Sequence, residues 1–89
     1  MEHNPEAKAA LLETVENQIS GNEAPEVREQ YRRLLREGYT DSEARQTIGY
    51  VLGCHIVKTL RTKKPFDYTD YLFDLRRLPE CDMDRHFAE

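Results

Sequence analysis

The run from Thr40 to Arg61, TDSEARQTIGYVLGCHIVKTLR, constrains the fold more than any other part of the chain. It is the longest apolar-rich stretch, and its apolar residues recur at helical rather than alternating spacing. It opens on Thr40-Asp41-Ser42-Glu43, a hydroxyl three residues ahead of a carboxylate, which is the spacing of a capping box. At about 100° per residue, Ala44, Ile48, Val51, Leu52 and His55 fall on one stripe. Gly49, Gly53, Ile56 and Leu60 fall on an adjoining one, and Tyr50, Cys54 and Val57 occupy much of the rest. A helix apolar nearly all round is expected to be buried, so this one is expected at the centre. Gly49 and Gly53 each lower helix propensity by about 1 kcal/mol relative to Ala. Their four-residue spacing predicts another helix packed close against them.

The flanks read as three further helices. Asn4-Pro5 is a cap followed by a first-turn proline, and Ala7, Leu11, Val15 and Ile19, with Leu12 alongside, make one face up to Ser20-Gly21. Gly21 is expected to close this helix in the left-handed conformation. Pro25 opens the second helix, with Val27, Tyr31, Leu34 and Leu35 on its inner side. Glu29, Arg33 and Glu37 form a ladder of alternating sign on this helix, and Arg28, Arg32 and Arg36 form a second stripe with no acid inside it. Gly38 is its expected stop, with Tyr39 folding back on the helix end. Pro65 ends the basic exit of the central helix. Asp67 then caps the last one, where Phe66 and Tyr71 have hydrophobic-staple spacing. Its inner face is expected to be Tyr68, Leu72 and Leu75, with Tyr71 and Leu78 beside it.

The expected fold is therefore all-α, a compact four-helix domain with helices at about 5–20, 25–37, 41–61 and 67–78 and the third one central. Residues 1–79 form the single domain and 80–89 a loose tail, pinned at most by Met83 or Phe87. Eighty-nine residues allow one core and no second. No stretch approaches the roughly 18 apolar residues of a membrane span. MEHNPEAKAA has neither a basic n-region nor an apolar h-region, so no signal peptide and a cytoplasmic location are expected. Cys54 and Cys81 make no CxxC and are expected as reduced thiols.

Glu16-Asn17-Gln18-Ile19, Pro25-Glu26-Val27-Arg28, the Leu34-Leu35…Gly38-Tyr39 turn and Glu43-Ala44…Ile48-Gly49…Val51-Leu52 give residues 4–78 their character. In their order and spacing these segments resemble a group of small bacterial helical proteins of unknown function. The resemblance implies a helical fold and supplies no activity. Related sequences carry histidines in the first helix and just after the Glu-Ala of the third. The matching positions here are Lys8 or Leu12, and Gln46, so a metal site built on those histidines does not carry over. Glu16 and His55 are the polar candidates that stay in place.

His55 is the one polar group on the inner stripe of the central helix. Its ordinary reading is a neutral core histidine with a hydrogen-bond partner; its functional reading is a ligand or general base in a small cleft, with Glu16 and Tyr50 as further ligand-binding candidates. Cys54 points about 100° away from His55, which argues against a nucleophile pair. His55, Glu16, Cys81, Asp82 and His86 have no metal-ligand spacing, and Asp82-Met83-Asp84 lacks the rest of a calcium loop, so no metal and no cofactor are expected.

Net charge is −4, unevenly spread. Residues 1–26 hold six acids and one Lys, 27–64 nine bases and four acids, and 65–89 seven acids and three Arg. The basic middle, with Arg28, Arg32, Arg36, Lys58, Arg61, Lys63 and Lys64, either packs against its acidic flanks or meets an anionic partner such as nucleic acid. Tyr68, Tyr71 and Phe73 cannot all point inward from one short helix, and exposed aromatics favour an interface. The expected function is a non-enzymatic interaction module that docks on a protein partner or on itself as a homodimer. A ligand- or metal-binding domain centred on His55 comes second and a nucleic-acid binder third.

Overall fold

The computed structural model describes the backbone of residues 5–78 and the side chains from Lys8 to Leu78. The caps and tail contacts expected at Asn4, Met83 and Phe87, and Cys81, lie outside the described residues. Within them the chain is all-α, with α1 Pro5–Ser20, α2 Pro25–Arg36, α3 Asp41–Thr62 and α4 Tyr68–Arg77. No helix among the described residues is long and apolar enough to cross a membrane.

Local chemistry sets the helix ends. Thr40 accepts from the Glu43 amide at 3.1 Å while Glu43 accepts from the Thr40 amide at 2.9 Å, so the capping box closes in both directions. At the end of α2, Gly38 takes φ +104°. The Tyr39 amide reaches Leu34 O at 3.0 Å and the Gly38 amide reaches Leu35 O at 3.1 Å. These two bonds make a Schellman turn, and Tyr39 packs against the core as its hydrophobic partner. Asp67 caps α4 by accepting from the Asp70 amide at 3.0 Å. Two ends depart from expectation. Gly21 does not adopt a positive φ; a side chain there is excluded because a Cβ would lie 2.7 Å from Asn17 O. Lys63, not a glycine, closes α3 in the left-handed region at φ 57°.

The core is Val15, Ile19, Val27, Leu34, Ala44, Ile48, Val51, Leu52, Tyr71, Leu72 and Leu75, with Ala24, Cys54 and Leu78 beside them. α3 packs on all three other helices, and so does α2, so the central role is shared. The helix expected against Gly49 and Gly53 is α1. A Cβ at Gly49 would meet Leu12 at 3.6 Å, and one at Gly53 would meet Leu11 at 3.3 Å.

α3 is not buried all round, contrary to the sequence expectation. Its inner stripe, Ala44, Ile48, Val51, Leu52 and His55, is sealed, but Leu60 is 71% exposed, Tyr50 57% and Ile56 37%. Three neighbouring helices do not cover the whole circumference of α3, and its outer face is the part left over. α4 is also turned from its expected setting. Tyr71, Leu72, Asp74 and Leu75 face inward and Tyr68 lies at the edge, a rotation of roughly 60° about the helix axis.

Candidate functional site

The rotation of α4 brings Asp74, a residue that sequence reasoning did not single out, against His55. His55 Nε2 lies 2.6 Å from Asp74 Oδ2. His55 is 2% exposed and Asp74 not at all. With Asp74 as a carboxylate, which only accepts, Nε2 is the donor in this bond. That leaves Nδ1 as the nitrogen on the Asp70 side, 3.8 Å from Asp70 Oδ2. Asp70 in turn accepts from Lys58 Nζ at 2.7 Å. Helical spacing puts Asp70 and Asp74 one turn apart on α4, and His55 and Lys58 three apart on α3, so two i, i+3 or i, i+4 pairs face each other across the seam.

Aromatic rings wall this charge cluster from the core. Tyr71 stands edge-on to His55 with centroids 5.8 Å apart, Phe66 does the same at 6.3 Å, and Phe66 meets Tyr71 at 5.6 Å, the staple expected from the sequence. Above His55 a cleft of about 240 Å³ opens between the end of α3 and the start of α4, lined by Lys58, Thr59, Lys64, Asp67 and Asp70 among others. Burial works against ionising Asp70, but the Lys58 hydrogen bond and charge, with His55 behind them, outweigh it and hold the carboxyl below its usual range.

The other expected ligand residues do not join this site. Glu16 pairs with Arg45, ten residues and about 15 Å along α3 from His55. It lines an open cleft at the far end of α3 with Leu12 and Gln46. Tyr50 projects about 140° around α3 from His55.

The aromatic trio also divides. Tyr71, expected on an exposed patch, is fully buried, and its hydroxyl donates to Gln18 Oε1 at 3.0 Å. Burial pushes the Tyr71 hydroxyl well above its ordinary pKa. Tyr68 sits at the surface edge and donates to Glu26 at 2.9 Å; partial burial and that carboxylate push it up to about 12. Phe73 is half exposed beneath the Arg77 guanidinium.

The basic residues are largely spent within the molecule. Arg28 donates to Gly21 O at 2.5 Å at the end of α1. Arg33 donates to Leu75 O at 2.9 Å and Leu78 O at 3.1 Å at the end of α4. Arg36, expected in a stripe without acids, pairs with Glu29 at 3.3 Å, and Lys58 is held by Asp70. Arg32, Arg61, Lys63 and Lys64 are exposed.

A hint of the Asp74 contact was present in the sequence. Tyr71, Asp74, Leu75 and Leu78 stand at 0, +3, +4 and +7, so a carboxylate interrupts an apolar stripe on α4 just as His55 interrupts the one on α3. Two such interruptions on neighbouring helices satisfy each other, because a buried polar group needs a partner. No protein family, curated protein or solved structure matches the chain, so its function has to be read from its own side chains.

Proposed function

We propose that the chain is a non-enzymatic helical interaction module whose partner is a second copy of itself, seated on the outer face of α3. The observation that carries this is the exposure of Leu60 and Tyr50 on the helix that also supplies the core. Tyr50, Gly53, Val57 and Leu60 are spaced three, four and three residues apart, the seam spacing of paired helices. Glu43 and Gln46 continue the seam at its start, and Lys64 continues it just past the helix end.

The charge along α3 favours one orientation. The helix begins with Asp41 and Glu43 and ends with Lys58, Arg61, Lys63 and Lys64. Antiparallel copies meeting along the exposed Tyr50 and Leu60 set acidic ends against basic ones. A parallel pair sets like against like, which is disfavoured.

Sedimentation velocity over a concentration series tests the reading. The expected result is a dimer that dissociates on dilution, and Leu60→Glu is expected to leave a monomer with an unchanged far-ultraviolet circular dichroism spectrum. A wild-type chain that stays monomeric at the highest concentration counts against self-association.

A further inference from the structure

The cluster at the α3–α4 seam has the composition and spacing of a metal site with its supporting shell. We infer that His55 Nδ1 and Asp70 form a binding site for a divalent transition-metal ion of the Zn²⁺ class, with Asp74 as the residue that positions the imidazole. His55, Asp70 and Asp74 each offer a ligand atom within 4.8 Å of the others.

The roles follow from the geometry. A metal-bound imidazole commonly donates its other ring N–H to a carboxylate, which fixes the tautomer and the ring plane. Asp74 already holds Nε2 in this way at 2.6 Å, fully buried. Nδ1 then faces Asp70 Oδ2 at 3.8 Å. Two ligand atoms about 2.1 Å from a tetrahedral ion lie about 3.4 Å apart, so a closure of a few tenths of an ångström suffices. An imidazole with a carboxylate suits Zn²⁺, Co²⁺ or Ni²⁺ better than the all-oxygen preference of Mg²⁺ or Ca²⁺. The cleft over the pair leaves room for water to complete the coordination.

The place of the cation is taken by Lys58. Its ammonium sits 2.7 Å from the same Asp70 oxygen, and its side chain is 39% exposed, so it can swing into solvent. Lys58 brings one positive charge to Asp70, and a divalent ion in its stead brings two. The lysine is thus a built-in competitor, and metal affinity is set by the exchange between them.

Titration of the full chain with Co²⁺, followed by its visible ligand-field absorption, tests the site, with Zn²⁺ displacing Co²⁺ and Mg²⁺ as control. The expected result is one equivalent of Co²⁺ bound and displaced by Zn²⁺, with no response to Mg²⁺. Asp70→Asn is expected to weaken binding tenfold or more. Lys58→Met is expected to tighten it, which a merely structural ion pair does not predict. Asp74→Asn is expected to weaken binding by about 10–100-fold while the circular dichroism of the chain persists. No saturable binding by either the wild type or Lys58→Met overturns the assignment. So does one-equivalent binding that Asp70→Asn leaves unchanged.

Discussion

α3 meets α1 and α4 through two seams of opposite chemistry. Against α1 the buried contact is apolar, with Leu11, Leu12 and Val15 lying over Gly49 and Gly53, and the Glu16–Arg45 ion pair sits at its part-exposed rim. Against α4 it is ionic at its heart, with His55 on Asp74 and Lys58 on Asp70. The apolar seam draws its stability from area removed from water and tolerates small changes of shape. The ionic seam holds two carboxylates in or near the core, so either partner removed leaves the other uncompensated. One seam is a surface that glues; the other is a lock that works only when complete.

The sharpest way to break that comparison is at Asp74. Asp74→Ala removes a fully buried partner of His55 and is expected to cost about 3–5 kcal/mol in urea unfolding. A cost below 1 kcal/mol would mean that the α3–α4 seam behaves like the apolar one.

The fold was legible in the sequence wherever the cause is local. Pro25, the Gly38-Tyr39 turn, the Thr40–Glu43 box and the Asp67 cap each act within a few residues, and each stands where expected. The left-handed Lys63 gave no such signal, because no glycine or asparagine marks it. The inner stripe of α3 was legible too, since periodicity alone defines it. The setting of α4 was not. Its apolar residues fit two faces about 60° apart, and the choice depends on a pairing nineteen residues away in sequence, His55 with Asp74. For the same reason the arginine partners were missed: Arg28 and Arg33 bond carbonyls of other helices, which no helical ladder reveals.

A second, smaller test uses acid. The carboxyl of Asp70 is held below its ordinary value of 3.8, with burial opposing and Lys58 prevailing. A depressed carboxyl contributes stability that is present above its unfolded value and lost as pH falls through the folded one. Asp70→Asn is therefore expected to lower stability at pH 7 and to flatten the loss below about pH 4, measured as unfolding midpoint against pH. An acid limb identical to the wild type would remove the Lys58–Asp70 pair from the seam's energetics.

On the apolar seam the expected effects are about 1 kcal/mol or less. Gly49→Ala gains helix propensity, and its Cβ meets Leu12 at an ordinary 3.6 Å, so it is expected to stabilise by up to about 1 kcal/mol. Gly53→Ala presses on Leu11 at 3.3 Å and is expected to gain less. If Gly53→Ala stabilises more than Gly49→Ala in thermal melts, the approach of α1 is looser than described. Smallest of all, Tyr68→Phe removes an edge hydrogen bond to the exposed Glu26 and is expected to change stability by no more than about 0.5 kcal/mol. A larger loss would make that rim bond part of the lock.

The two arginines of α2 bear on how the molecule comes apart. Helix ends fray first, because their last carbonyls have no partner inside the helix. Here a guanidinium of α2 holds the end of α1 at Gly21 O, and another holds the end of α4 at Leu75 O and Leu78 O. Any opening that lifts α2 unpins both neighbours at once. Amide exchange near the ends of α1 and α4 should then follow the opening of α2, so that the three helices exchange as one cooperative unit rather than unzipping singly.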